Sequence, residues 1–290
     1  MNAFAFLPNE IINDVVDFAG ERRESKARID HQFLIRLNGS WGDFARRAAP
    51  VLLILPNHFV SRNHGIEDQK LTFEKTKNQF ICHSVIGWSL CDGTANLDQF
   101  RQLAPNFYEF IEFFCVPSIP SDVFDLIGDR FSEVRWWAGM IQNTLDNEAS
   151  NFLKRQLRSH YLKKMTIDCV HLKDDEFTDA FLHFTKKPTF ESLNCLCCRY
   201  MSPVVIIEAD QAWNAKRDFQ MTHQTISGLF TYEAAKELKE YFKIPQNEKE
   251  TDLVVCHTIP LASKIIRMCN YPNEVVFKVE FCYHDSESEC

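Results

Sequence analysis

Histidine, cysteine and carboxylate side chains are the groups whose spacing in this chain could support catalysis or metal binding. There are 10 histidines, and His83, His183, His223 and His257 fall near predicted strand or helix positions. None belongs to an HExxH or comparable pair that would put two imidazoles on one helix face. Each reads as a satisfied structural residue. Cys195-Leu196-Cys197-Cys198 is the tightest thiol cluster. Structural zinc needs a second Cys or Cys/His pair at matching spacing, and none follows, so buried strand cysteines are expected. Asp174-Asp175-Glu176 could do general acid–base work, yet it stands at the start of a predicted helix, where acidic residues meet the positive end of the dipole. GxSxG is absent, and the 9 glycines form no GxG, so nucleophile elbow, Rossmann turn and Walker loop are all missing. The expectation is a chain with no catalytic constellation, no metal and no cofactor.

Trp136-Trp137 carries a different kind of chemistry. Successive strand residues point to opposite faces, so one indole can lie in the core while the other is exposed. An exposed tryptophan would be a strong binding anchor; the alternative packs both rings in the core. The basic pairs Arg22-Arg23 and Lys186-Lys187 read as solvated faces. A net charge of −8 argues against nucleic-acid binding, which needs a basic face. The longest apolar run, 48–55, is broken at Pro50 and is far shorter than the ~20 residues a membrane helix requires. The start of the chain has no basic stretch of the secretory type, and its end fits no prenylation pattern. With 11 cysteines in no disulfide-framework spacing, the expected setting is intracellular, cytoplasmic or nuclear.

These side chains must be positioned by two kinds of element. Ile11, Val15 and Phe18 recur at helical spacing behind Pro8, and Gly20 closes that helix. A second apolar stretch runs from Phe33 to Phe44. Past Pro50 the pattern changes to short alternating runs, with strands expected around 70–75 and 80–86. Helices are predicted over 97–103, 121–127, 148–157, 175–184, 203–215 and 232–242, and a terminal strand over 273–281.

An aromatic or apolar residue, two variable ones and a second apolar residue recur where helix gives way to strand. The instances are Phe107–Phe110, Phe131–Val134, Leu162–Met165 and Phe190–Leu193, with a degenerate fifth at Phe219–Thr222. Their spacing predicts neighbouring parallel strands, in that order, over 107–113, 133–138, 162–168, 192–197 and 220–225. The expected fold class is α/β: a helical module (1–49), then an irregular leucine-rich-repeat-like solenoid with a curved, mostly parallel sheet (50–282), then an acidic tail (283–290). The competing reading is an ordinary α/β domain with evenly spaced elements.

Leu7-Pro8-Asn9-Glu10-Ile11-Ile12-Asn13-Asp14-Val15-Val16 resembles the opening of the F-box, whose pattern is LPxEI followed by an apolar helix. Phe33-Leu34-Ile35-Arg36-Leu37 with Trp41 looks like its second half. The resemblance covers residues 6 to 47, with a longer linker at 21–32 and Asn38-Gly39-Ser40 in place of the usual approach to the tryptophan. An F-box followed by strand–helix repeats is similar to expanded F-box-like families of nematodes. It implies docking on a Skp-type adaptor and its cullin complex through Leu7, Pro8, Ile11, Val15, Leu37 and Trp41. The repeats would then hold an unidentified protein substrate, for which Trp136 and Trp137 are the candidate contacts. The alternative is an interaction scaffold whose first helices only cap the solenoid.

Overall fold

Alternation of apolar and polar side chains decides which face of each strand is covered. The computed structural model describes residues 51–55, 58–62, 69–71, 73, 81–87, 94–114, 121–137, 145–168, 172, 174–196, 201–215, 223–257, 262–271 and 274–283. The expected helical module 1–49, the fifth repeat instance at 219–222 and the tail from 284 on lie outside the described residues. Contacts divide the chain into two compact units, one comprising Met1–Glu112 with Asp125–Gly128, the other Phe113–Phe124 with Asp129–Cys290.

In the first unit, β1 (Val51–Leu55) pairs parallel with β4 (Ile81–Gly87) and antiparallel with β2 (His58–Arg62), which pairs with β3 (Gln69–Leu71). Helix α1 (Thr94–Leu103) runs through a 3-10 turn into β5 (Phe107–Phe114). Leu103, Ala104, Phe107 and Ile111 are fully buried.

The second unit carries the repeats. β6 (Phe131–Trp137), β7 (Lys164–Asp168), β8 (Ser192–Leu196) and β9 (Gln224–Phe230) pair in chain order, each parallel to the next. The helices α2 (Ser121–Ile127), α3 (Asn147–Arg158), α4 (Asp174–Thr185), α5 (Pro203–Ala215) and α6 (Tyr232–Tyr241) lie within a few residues of their predicted bounds, α2 and α5 without any shift. Asp146 and Thr231 cap α3 and α6 by accepting from Ala149 N at 2.7 Å and Ala234 N at 3.3 Å. Each cap satisfies one of the donors that a helix start leaves unpaired.

Both members of the Phe131–Val134, Leu162–Met165 and Phe190–Leu193 junctions are buried. Register aligns Val134, Met165, Leu193 and Ile226 in one row. The strand expected at 220–225 lies instead at 224–230, because no aromatic junction starts it. The place corresponding to Phe190 is taken by His223, which is exposed. Gln224 is buried and donates from Nε2 to Phe190 O at 3.0 Å.

Beyond β9 the sheet changes direction. β12 (Val275–Tyr283) pairs antiparallel with β9, β11 (Ala262–Asn270) with β12, and β10 (Glu250–His257) with β11. The terminal strand was expected, β10 and β11 were not, and the larger unit therefore holds a mixed sheet. The row continues through Val279 and Ile266, both buried. Trp136, Ile167, Cys195, Phe277 and Met268 form the next buried row, with Gly228 between Cys195 and Phe277. A Cβ on Gly228 would come within 2.8 Å of Met201 Sδ and 2.9 Å of the Phe230 ring, so the glycine is there for close packing.

Helices cover this face. Phe113 stacks on Trp136 at 4.7 Å and meets Phe152 of α3 edge-on at 5.5 Å, while Phe152 stacks on Phe124 of α2 at 4.6 Å. Farther along, Trp213 of α5 stacks on Phe281 of β12 at 5.1 Å. The same face holds a buried ion pair. Lys264 Nζ donates to Asp210 Oδ1 at 2.6 Å, with the side chains only 9% and 3% exposed. Asn214 Nδ2 and Tyr241 OH each donate to Asp210 Oδ2 at 3.0 Å, and the ammonium lies over the Trp213 and Phe242 rings. Desolvation first, then the Asp210 charge and hydrogen bond, push the Tyr241 hydroxyl up to about 12 against a smaller opposing bond from Gln211.

Removing one member of such a pair strands a charge in the interior. Lys264→Met is expected to cost about 3–5 kcal/mol, whereas Lys264→Met with Asp210→Leu costs distinctly less. Urea midpoints of the two variants check this; equal losses would mean that the charges are not coupled.

Candidate functional site

The face of the larger sheet opposite the helices is lined by the alternate residues of each strand. One row runs Glu133, Lys164, Ser192, Thr225, Glu280 and Ile265; the next runs Arg135, Thr166, Asn194, Ser227, Lys278 and Arg267. Ion pairs tie these rows together. Glu133 Oε1 accepts from Arg135 Nε at 2.8 Å and sits 2.7 Å from its Nη2. Lys164 Nζ is 3.4 Å from Glu191, and Glu280 is held by Lys278 at 2.6 Å and by Arg267. Exposed pairs of this kind add only about 0–1 kcal/mol of stability each, but they orient the side chains. In the centre, Ser227 Oγ hydrogen-bonds Asn194 Oδ1 at 2.8 Å. Burial, then the Glu280 charge, raises the Cys282 thiol against smaller lowering effects from Ser263, Arg267 and Lys278. A thiol raised in this way is a poor nucleophile.

The third row begins at Trp137 and Asp168, which are register partners on β6 and β7. The two adjacent tryptophans separate by alternation: Trp136 is 4% exposed and packed in the core, Trp137 is 39% exposed on the open face. Of the two arrangements open at the level of sequence, the one with a single exposed indole is found. Trp137 is the only exposed tryptophan among the described residues. Asp168 is half-buried, and its Oδ1 is buried without a hydrogen-bond partner. The sequence reading passed over Asp168, although Met165 and Ile167 on the buried face fix it on the opposite one.

Leu7, Pro8, Ile11, Val15, Leu37 and Trp41 lie outside the described residues, as do Cys197 and Cys198. Cys195 is fully buried in β8, as the strand-cysteine reading expects. His183 and His223 are exposed. Among the described residues no group of three or more His, Cys, Asp and Glu side chains could hold a metal, and no helix is long and apolar enough to cross a membrane.

The expectation of a solvated face holds at Lys186 and is corrected at Lys187. Lys186 is exposed and pairs with Glu208 at 2.5 Å. Lys187 is half-buried and donates to Leu157 O at 2.6 Å and Ser159 O at 2.5 Å. It thus satisfies carbonyls that the end of α3 leaves open. Beside it lies an open cleft of about 570 Å³ lined by Asp129, Asn151, Lys154, Arg155, Arg158, Ser159 and His160. Its cations sit on the last turns of α3, where they complement the negative end of the dipole. Arg155 Nη2 donates to Phe124 O at 2.7 Å, and Ser159 Oγ to Asp129 O at 2.6 Å. This cleft is helix-end architecture.

Desolvation lowers the Lys187 ammonium from 10.5 to about 8. Between those values the unfolded chain holds a proton that the folded protein has released, so stability contributed by this group rises with pH. The stability of the natural chain relative to Lys187→Met is expected to be flat below pH 8 and to increase from there to 10.5. Denaturant midpoints of both proteins across that range check it; a difference that falls with pH would contradict the assignment.

Comparison of the chain with protein-family models, with curated proteins and with solved structures gives no match.

Proposed function

We propose that the chain is the substrate-recognition subunit of a Skp–cullin–F-box ubiquitin ligase, working in the cytoplasm or nucleus and not itself catalytic. Leu7, Pro8, Ile11, Val15, Leu37 and Trp41 would engage the Skp-type adaptor. The strand–helix domain, read as a leucine-rich-repeat-like solenoid, would present the open sheet face with Trp137 to a protein substrate. The observation that carries this reading is the pairing of an LPxEI-type opening with a repeat domain whose strands, among the described residues, have helices packed on one face only. Interface anchors are enriched in tryptophan, and Trp137 stands beside the ion-paired rows of this face. The open face suits equally a scaffold without ligase coupling, and adaptor capture separates the two.

Truncating an interface anchor costs about 2 kcal/mol or more of binding, whereas truncating a buried leucine or isoleucine costs about 2–5 kcal/mol of stability. The full chain is expected to capture recombinant Skp adaptor, and Leu7→Ala with Ile11→Ala to lose that capture while melting near the unaltered temperature. Failure of the unaltered chain to bind adaptor, with a large fall in melting temperature for the variant, would leave the helix as a cap.

A further inference from the structure

We propose that β10 is a self-recognition edge: two copies of the chain pair antiparallel along it about a two-fold axis at Val254, and one sheet runs through both. This goes beyond the receptor reading and does not depend on it. β10 ends the strand order β6-β7-β8-β9-β12-β11-β10, and among the described residues no strand pairs with its outer side. It matches β11 residue for residue from Glu250–Cys269 to His257–Ala262, with no bulge. In an antiparallel ladder alternate residues turn their N–H and C=O groups away from the neighbour, so this strand of 8 residues offers a regular row of them. Edges that stay alone are blunted by proline, lysine, a bulge or short length. The sequence Glu-Thr-Asp-Leu-Val-Val-Cys-His has none of these.

The residue types name the partner. Register carries the buried apolar row through Ile266 to Leu253. The row of the opposite face is polar from Glu133 to Glu280 and turns apolar only at the half-buried Ile265 and its register partner Val254. A regular edge with apolar residues at its centre is a template for another strand. A two-fold axis perpendicular to the sheet keeps each face on its own side, so opposed residues must share a face. Centring the pair on Val254 sets Leu253 against Val255, Asp252 against Cys256 and Thr251 against His257 of the other copy. No like charges then meet, Glu250 lies beyond the paired stretch, and Asp252 is already the register partner of Arg267. Centring it on Leu253 would set Asp252 against Val254 and bring a carboxylate into the apolar middle. A foreign strand would have to bring this pattern with it, whereas a second copy supplies it. The paired stretch is short, which places the dimer in the weak, small-interface class.

The test is analytical ultracentrifugation of the full chain from low micromolar to submillimolar concentration. The unaltered chain is expected to shift from monomer toward dimer. Val254→Lys sets two ammonium groups directly opposite each other at the axis, an unfavourable cross-strand pair, and is expected to remain monomeric with an unchanged circular dichroism spectrum. Residues directly opposite in an antiparallel pair have Cα atoms about 4.5–5.5 Å apart, within disulfide reach. Val254→Cys is therefore expected to give, on mild oxidation, a covalent dimer whose peptide map holds a 254–254 disulfide. A chain that stays monomeric throughout overturns the proposal, whether its edge is covered by another segment of the chain or takes a foreign strand. So does a dimer that survives Val254→Lys, or a Val254→Cys protein whose peptide map lacks the 254–254 bond. Should Val254→Lys fail to fold, the Val254→Cys map decides alone.

Discussion

Because neighbouring strand residues point to opposite faces, the single row formed by Val134, Met165, Leu193, Ile226, Val279 and Ile266 determines what every strand of the larger sheet leaves uncovered. All six are buried. A slip of one residue in any strand would carry its apolar set onto the open side and its charged set under the helices, which makes register costly to change. The exposure of Trp137, the placement of Asp168 and the ion pairs across the open face are all consequences of that row. The chemistry of this surface is thus fixed by packing on the other one.

The row crosses from parallel to antiparallel pairing at β9 without breaking, and the local chemistry shows how. The parallel strands from β6 to β8 each begin at a junction that buries an aromatic or leucine side chain in the helix layer. At β9 that position is His223, and the buried Gln224 instead bonds the carbonyl of Phe190. A polar anchor here replaces an apolar one. The strands that follow belong to hairpins and need no helix of their own to reach the next strand.

That difference explains which parts of the fold were legible. The α5 stretch from Pro203 to Ala215 could be read to the residue, since proline opens it and apolar residues fill it. The junctions predicted three parallel neighbours in their observed order. β11 could not be read, because it carries Lys264 on the face that should be apolar. Only Asp210, 54 residues earlier in the chain, makes that position tolerable, and no local pattern reports so distant a partner. Lys187 misled for the same reason: its role depends on carbonyls at Leu157 and Ser159 from another helix end. Charged residues that look like surface in the sequence are the ones whose meaning is settled by tertiary contact.

The adjacent tryptophans show the opposite case, where the pattern alone was nearly enough. Trp136 needs a partner surface as large as itself and finds it in Phe113 and Phe124. Once that ring is committed to the helix side, the backbone leaves Trp137 no route to the core. Burying both would require a bulge in β6, and its pairing with β7 runs unbroken from Glu133 to Trp137. At 39% exposed, Trp137 still keeps the larger part of its surface out of water, so its place at the end of the strand follows from the commitment of Trp136 to the other face.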